Sequence, residues 1–142
     1  MSLDPQAQVL LDQAAASGLP PAYILSVRDA RKRLYDGFVT KGEKEPVHHV
    51  EDTVIPGPAQ GLPVRIYRPS DDAPLPMLVF FHGGGWTLNS VETHDALCRS
   101  LANEVGALVV SVEYRLAPEH KFPAAVEDAY TAVEWVAHNA GR

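Results

Sequence analysis

Two uninterrupted apolar runs constrain the fold of this chain more than any other feature. They span residues 77–81 and 107–110. Between them lies a helical pattern that ends at Gly106 and consists of Leu97, Leu101, Ala102 and Val105. A strand is apolar on both faces only where both faces are covered, as in a parallel sheet, and glycine is typical of the position after a helix. Together the three segments predict a parallel βαβ unit with a right-handed crossover.

Two helices are predicted to precede any strand. Asp4 before Pro5 is typical of a helix start, and Gly18 predicts the end of that helix. A capping box at Ser26 starts the second helix, which is expected to end near Gly42. The basic run 31–33 is interpreted as the solvated face of this second helix. Its apolar face is expected to consist of Val27, Ala30, Leu34 and Phe38.

The remaining segments complete the expected fold. The β-rich runs 47–55 and 64–67 predict a hairpin at a sheet edge, where Pro63 is tolerated. A last helix is predicted to begin at Pro123 and to end at Gly141, with an apolar face formed by Val126, Ala129, Val133 and Val136. The expected fold class is therefore α/β, with two helices, an edge hairpin and a parallel βαβα unit.

Composition narrows the class of protein. Hydrophobic residues make up 46% of the 142 residues and charged residues 21%, the balance of an ordinary soluble globular domain. The net charge of −6 argues against a nucleic-acid partner, because a polyanion would be repelled. The N-terminus lacks the pattern of a signal peptide, and no apolar run approaches the roughly 20 residues that cross a bilayer. Cys98 is the only cysteine, so no internal disulfide is possible and a cytoplasmic location is expected.

A glycine run carries the clearest chemical signal. His82-Gly83-Gly84-Gly85-Trp86 directly follows the strand predicted over residues 77–81. Glycine has no Cβ, so a ligand can approach the backbone closely, and amides at the end of a parallel strand can hold an oxyanion. Taken alone, the run is better explained as a tight turn. Phosphate binding is not supported, because neither glycine-rich nucleotide motif is present.

Three motifs together resemble a known family. They are the 82–86 run, the segment 114–119 (Tyr-Arg-Leu-Ala-Pro-Glu), and the segment 122–125 (Phe-Pro-Ala-Ala) followed by Glu127 and Asp128. In order and spacing they are similar to the N-terminal half of hormone-sensitive-lipase-like carboxylesterases of the α/β-hydrolase superfamily. The resemblance implies that residues 1–45 are cap helices and that residues 46–142 form the N-terminal half of the hydrolase core.

The resemblance also implies roles for individual residues. The amides of Gly84 and Gly85 would donate to the oxyanion, Gly83 would shape the turn and His82 would support the loop. Trp86 would line the substrate pocket. Structural roles are implied for Tyr114, Arg115 and Glu119.

The family's catalytic triad has no counterpart in these residues. Its serine lies in a G-x-S-x-G motif and is followed by an acid and then a histidine, and no serine of this chain lies in such a motif. The resemblance implies that the chain stops before the nucleophile, the acid and the histidine, and before one further oxyanion donor. The implied mechanism needs no metal and no other cofactor.

Other candidate sites are weaker. No metal-binding spacing joins the possible ligands His82, His94, His120, Asp95 and Glu119. The adjacent residues His48 and His49 would point to opposite faces of a strand and cannot chelate together. Cys98 shares a helix with apolar residues and is interpreted as packing rather than as a nucleophile.

Two functions stay open at this point. The leading hypothesis is a serine carboxylesterase that hydrolyses short or medium acyl esters through an acyl-serine intermediate. The alternative is a noncatalytic fragment or assembly half that is inactive alone because the serine is absent. In either case, the resemblance implies that strand 77–81 lacks one of the two neighbours it has in the family's sheet, and such an open edge favours self-association or pairing with a C-terminal half.

Overall fold

The computed structural model describes residues 3–39, 44–58, 60–72 and 74–140. Over these ranges the chain forms a mixed sheet with helices on both of its faces. The elements in chain order are α1 (Pro5–Ala16), α2 (Val27–Phe38), β1 (His49–Ile55), β2 (Leu62–Arg68), β3 (Met77–Phe81), α3 (Asp95–Val105), β4 (Leu108–Val112) and α4 (Ala124–Asn139).

The strand order is β1-β2-β4-β3. β1 pairs with β2 and β2 pairs with β4 in the antiparallel sense, whereas β3 runs parallel to β4 from Met77 opposite Leu108 to Phe81 opposite Val112. The predicted edge hairpin and the predicted parallel unit are both confirmed. Among the described residues, β1 and β3 form the two edges of the sheet.

Pro63 does not lie on an edge strand as predicted. Its strand, β2, lies between β1 and β4. The ladder with β4 includes Val64, opposite Val112, but not Pro63. Beyond the ladder, the Pro63 carbonyl accepts a hydrogen bond from the Glu113 amide at 3.0 Å. Because proline lacks only the donor, it is accommodated at the end of a ladder where its carbonyl alone is needed.

The core is built around β4, because every residue of this strand is buried. Its even-numbered residues pack on one face against Ala132 and Val136 of α4. On the opposite face, Val109 packs against Cys98 and Ala102 of α3. Both faces of the strand are therefore covered, which explains why its sequence is almost continuously apolar.

The buried face of α4 differs from the predicted one. Asp128 and Val136 are among its buried residues, whereas Val126 and Val133 are 55% and 49% exposed. The helix is rotated because the carboxylate of Asp128 turns inwards to bind Arg115. As a result, α4 presents a second apolar stripe to solvent.

The apolar face of α3 was also predicted only in part. Cys98 and Ala102 are fully buried, whereas Leu97 and Val105 are 48% and 56% exposed. The buried face includes Asp95, which binds Lys44 and Arg65 from other segments and Arg99 from its own helix. A charged residue therefore shares the buried face of α3 with Cys98 and Ala102.

The helix starts were predicted correctly. The Asp4 side chain accepts from the Gln6 amide at 2.8 Å, and the Ser26 hydroxyl accepts from the Asp29 amide at 3.1 Å. α3 is followed by Gly106 in the left-handed conformation, with φ 65°. α2 ends at Phe38, earlier than the predicted end near Gly42, because Val39 already has an extended backbone. α4 ends at Asn139, close to the predicted end at Gly141. Gly42 and Gly141 themselves lie outside the described residues. None of the described helices is both long enough and apolar enough to cross a membrane.

Candidate active site

The glycine run forms a loop of residues 82–88 at the carboxyl end of β3, here called the glycine loop. Gly84 and Gly85 have φ values of 132° and 60°, which residues with a side chain rarely adopt. A Cβ atom on Gly84 would lie 2.1 Å from the carbonyl oxygen of Leu88, whereas one on Gly85 would meet nothing within 4 Å. Position 84 therefore requires glycine for two reasons: there is no room for a side chain, and the backbone conformation disfavours one.

Every carbonyl group from residue 82 to residue 87 accepts a hydrogen bond. Donor–acceptor distances range from 2.6 to 3.2 Å. The donors, in the order of the carbonyls, are the Tyr114 hydroxyl, the Asn89 side-chain amide, the backbone amides of Thr87 and Leu88, the Thr87 hydroxyl, the Ala117 amide and the Arg31 guanidinium. The glycine loop is thus held through its acceptors.

Two backbone amides of the glycine loop, unlike its carbonyls, have no partner among the described residues. The backbone amides of Gly84 and Gly85 donate no hydrogen bond to any part of the chain that the structure describes. Both residues line an open cavity of ≈ 270 Å³, which is also bordered by Phe81, Tyr114 and Ala129. Free N–H groups beside a largely apolar hollow can stabilise negative charge that develops on a bound carbonyl oxygen.

His82 is the first residue of the glycine loop, and it is buried, with only 2% of the residue exposed. Its ring stacks on Tyr114 with 4.4 Å between centroids, and its Nδ1 lies 3.0 Å from the Gly83 carbonyl. A carbonyl only accepts, so Nδ1 carries the proton in this arrangement. Burial lowers the pKa of His82, which keeps the ring neutral at pH 7. Its Nε2 has no hydrogen-bond partner within the described ranges.

Trp86 separates two hollows. It lines the cavity above the glycine loop and also a second cavity of ≈ 520 Å³, which is bordered by Phe122, Ala125 and Val126. Its side chain is largely open to solvent, with 67% of the residue exposed. Its φ of 58° lies in the left-handed region, which is a strained conformation for a bulky residue. Such strain persists only where surrounding contacts enforce it.

Arg31 contributes to the site, although the basic run was interpreted as solvated. Lys32 is exposed as expected, but Arg31 reaches the core and donates from Nε to the Thr87 carbonyl at 2.7 Å. The sequence did carry a signal for this. Arg31 lies four residues after Val27 and three before Leu34, so it belongs to the apolar face of the helix rather than to the solvated one.

The residues with implied structural roles support the loops around the site. The Asp128 carboxylate, 1% exposed, accepts from the Arg115 backbone amide at 2.8 Å and from its guanidinium, which joins the segment after β4 to α4. Glu119 forms a two-pronged ion pair with Arg31 at 2.8 and 2.9 Å. The hydrogen bonds from Arg31 lower the pKa of Glu119 to about 2, so this carboxylate is ionised at any working pH.

The candidate metal ligands do not converge. In the described part of the chain, no group of three histidine, cysteine or carboxylate side chains is placed to hold a metal ion. The rings of His82 and His94 lie 5.7 Å apart, but Asp95 turns away to bind Lys44, Arg65 and Arg99. Burial alone would raise the pKa of Asp95, and these cations instead hold it well below its ordinary value.

Cys98 and the adjacent histidines lie away from the glycine loop. Cys98 is fully buried against the sheet, and burial raises the pKa of its thiol to about 11. The thiol is therefore protonated at neutral pH and a poor nucleophile. His48 and His49 are exposed, with contacts to the carboxylates of Asp71 and Glu51.

Several known proteins are similar to this chain. A family model described as an alpha/beta hydrolase fold matches residues 78–142. A carboxylic ester hydrolase of Mycobacterium tuberculosis is 44% identical, over 98% of this chain and 37% of the relative, and an arylesterase of Saccharolobus solfataricus is 36% identical, over 99% and 46%. The solved structure of a hyperthermophilic esterase from Pyrobaculum calidifontis is 50% identical with a TM-score of 0.88, over 99% and 45%. The chain spans less than half the length of these relatives.

Proposed function

Because this chain belongs to the hormone-sensitive-lipase-like carboxylesterases of the α/β-hydrolase superfamily, we propose that it supplies the oxyanion site of a serine carboxylic ester hydrolase. One observation carries the proposal. The glycine loop has every carbonyl from residue 82 to residue 87 bonded, while the amides of Gly84 and Gly85 stay free beside a cavity. A tight turn alone would not require unbonded donors to face a hollow.

The proposed chemistry is acyl transfer to a serine. The ester carbonyl oxygen sits against the amides of Gly84 and Gly85, and these amides stabilise the negative charge that forms when the serine attacks. Gly83 shapes the turn and His82 holds it from below. The alcohol then leaves, and water releases the acyl group from the serine. The reaction uses no metal and no other cofactor.

The nucleophile, its acid and its histidine are proposed to come from outside these 142 residues. The sequence contains no G-x-S-x-G motif, so none of its serines has the setting of the family's nucleophile. The same fact favours the second candidate function: a polypeptide of these residues alone acts as a noncatalytic assembly half. The two proposals are compatible, since one concerns the whole protein and the other this part of it.

The walls of the cavity suggest the class of substrate. Phe81, Trp86, Tyr114 and Ala129 make the hollow beside the glycine loop mostly apolar and about as large as a small organic ester, with ≈ 270 Å³. We therefore propose esters of short or medium acyl chains, with Trp86 as a wall of the pocket. Two relatives are named as an arylesterase and an ethyl acetate hydrolase.

The partner of this part of the protein is proposed to bind at β3. Within the described ranges β3 pairs on one side only, and Phe81 at its end is 36% exposed. The apolar stripe of α4 lies nearby, with Val126 and Tyr130 more than half exposed. A C-terminal half, or a second copy, could add a strand to β3 and cover the apolar stripe of α4.

We also propose that residues 1–45 form a cap, that residues 46–142 are part of the hydrolase core, and that the protein is located in the cytoplasm.

A complementation assay tests the function. Hydrolysis of p-nitrophenyl acetate is measured for the 142-residue polypeptide and for a fusion that adds the C-terminal part of the Pyrobaculum calidifontis esterase, which is 50% identical over the shared region. We expect turnover from the fusion only, and its loss in the fusion carrying Gly84→Ala. Circular dichroism and labelling by a fluorophosphonate show that the fusion is folded and has a reactive serine.

Three results would count against the proposal. Turnover by the 142-residue polypeptide at the rate of an intact esterase would show that the nucleophile lies within it. A folded fusion whose serine reacts with fluorophosphonate but which cleaves no ester would contradict the ester-hydrolase function. Full activity of the Gly84→Ala fusion would remove the glycine loop from the mechanism.

A further inference from the structure

The guanidinium of Arg31 connects three parts of the chain. From α2 it donates through Nε to the Thr87 carbonyl at 2.7 Å and through Nη2 to the Ala117 carbonyl at 2.9 Å. Its remaining edge binds both oxygens of Glu119 at 2.8 and 2.9 Å. The residue is separated from these partners by 56 to 88 positions, so the contact is a long-range one.

These bonds close a ring around Trp86. The Ala117 amide donates to the Trp86 carbonyl at 2.8 Å, while the Ala117 carbonyl and the Thr87 carbonyl both accept from Arg31. The peptide unit before Thr87 is thereby bonded to Ala117, and the peptide unit after Thr87 is bonded to Arg31. On the other side of Trp86, the Gly85 carbonyl accepts from the Thr87 hydroxyl at 3.2 Å. Trp86 is therefore held in its left-handed conformation, with φ 58°, by bonds on both sides.

The ring sets the direction of the proposed oxyanion donors. Gly85 directly precedes Trp86, and the Gly84 carbonyl accepts from the amides of Thr87 and Leu88 at 3.2 and 2.9 Å. If Thr87 moved, this turn and the peptide planes before it would move as well. Hydrogen-bond donors stabilise a transition state only when they are fixed before the charge develops.

We propose that Arg31 is a positioning residue for ester hydrolysis: from α2 it fixes the conformation of Trp86 and Thr87 and so aims the amides of Gly84 and Gly85. The inference deepens the proposed function and rests on it. Arg31 does not touch the substrate. Its effect is exerted through the backbone of the glycine loop.

The geometry requires arginine rather than any cation. A planar fork can bind two carbonyls and a carboxylate at once, whereas the ammonium group of lysine is a point charge on a flexible stem. Glu119 orients the fork, and the ion pair lies at the surface, where the side chains of Arg31 and Glu119 are 30% and 54% exposed. The charge attraction itself is therefore worth little. The main effect of Arg31 is therefore to fix the positions of the two carbonyls to which it donates.

The kinetic test uses Arg31→Lys in the ester-hydrolysing protein that contains this chain. We expect kcat to fall by about tenfold to hundredfold, because small displacements of catalytic groups have effects of that size, while KM and the melting temperature change little. Arg33→Lys is the matched control, since Arg33 lies on the same helix and donates only to the Pro20 carbonyl among the described residues. An unchanged kcat in Arg31→Lys, or a rise in KM alone, would overturn the inference.

Hydrogen exchange on the 142-residue polypeptide gives an independent readout. The amides of Leu88 and Ala117, which bond to Gly84 and Trp86, should exchange faster in Arg31→Lys, while amides of β4 should not. Equal exchange in both variants, or faster exchange throughout the chain, would contradict a positioning role. If the wild-type protein cleaves no ester, the proposed function fails, but this measurement still decides whether Arg31 fixes the loop.

A second variant covers the case in which Arg31→Lys does not fold. Glu119→Gln keeps the bonds from Arg31 to the two carbonyls but weakens the orientation of the fork. We expect it to lower kcat in the same direction and by a smaller factor, with faster exchange at Ala117. A Glu119→Gln protein with wild-type kcat and wild-type exchange would count against the role assigned to the ring.

Discussion

Two polar regions of this protein use hydrogen bonds in opposite ways. Around Asp95, a buried carboxylate binds Arg65, Arg99, Lys44 and the Tyr67 hydroxyl, so charge is matched by charge. In the glycine loop, the acceptors are bonded and the donors of Gly84 and Gly85 are left free among the described residues. The first region is complete by itself, whereas the second is complete only with a ligand. Unsatisfied donors held by satisfied acceptors distinguish the candidate site from a structural cluster.

The largest effect on stability is expected at Asp95. Asp95→Ala should lower the free energy of unfolding by about 3–5 kcal/mol, because it leaves buried or half-buried cations without their partner. The Asp95 side chain is only 2% exposed. Asp52→Ala is the control, since that carboxylate also binds Arg65 but is 68% exposed and should contribute less than about 1 kcal/mol. Urea unfolding at pH 7 measures both, and equal losses would show that the Asp95 region is not a buried cluster.

Substitution of Gly84 in the glycine loop should lower kcat far more than it lowers the stability of the fold. In the active protein, Gly84→Ala should lower kcat by about 10²- to 10³-fold, the effect of losing one oxyanion donor, because the new Cβ would displace the backbone at Leu88. Gly85→Ala is the matched variant: its Cβ meets nothing within 4 Å, and it costs only the left-handed conformation. We therefore expect Gly85→Ala to lose less activity than Gly84→Ala. Equal losses would show that the lack of room for a side chain at Gly84 does not determine the positions of the donors.

A smaller effect is expected at Tyr114, which bonds to the first carbonyl of the glycine loop. Tyr114→Phe removes the hydroxyl that donates to the His82 carbonyl at 2.6 Å and leaves a buried acceptor without that partner. This should lower the free energy of unfolding by about 1–3 kcal/mol, with a loss of kcat well below that of Gly84→Ala. Denaturant unfolding and steady-state kinetics check the two parts. A larger loss of kcat than in Gly84→Ala would mean that Tyr114 acts directly on the substrate.

The smallest expected effect is a pH dependence from His82. Burial depresses its pKa below the ordinary 6.5, so the unfolded chain binds a proton more readily than the folded one. The contribution of His82 to the free energy of unfolding is complete above pH 6.5 and is lost as pH falls through the pKa that His82 has in the folded protein. Glu113 is partly buried, and its raised pKa gives the opposite sign: its contribution to the free energy of unfolding is present below about pH 4.5 and is lost as pH rises through the folded value. Proton NMR of the His82 ring isolates its titration, and a midpoint at or above 6.5 would contradict the burial argument.

The sequence predicted the fold well where one local signal decided the outcome. The helix starts at Asp4 and Ser26, the stop at Gly106 and the hairpin all follow from short-range chemistry. The glycine loop was located for the same reason. What the sequence did not predict depends on contacts across the chain. The bond between Asp128 and Arg115 determines which face of α4 is buried. Arg31 bonds to the Thr87 carbonyl, although it belongs to a basic run that was predicted to be solvated. Periodicity identifies an apolar face but does not identify the distant partner of a charge.

The glycine loop depends on residues far from it in the chain. Its carbonyls are bonded by Arg31 from α2, by Asn89 just beyond the loop, and by Tyr114 and Ala117 from the segment after β4. The five-residue motif is therefore not portable. Transplanted behind another parallel strand, it would bring the glycines but not the groups that shape them, and it would relax into an ordinary turn. A designer who wants this site in a new scaffold has to transplant the supports together with the motif.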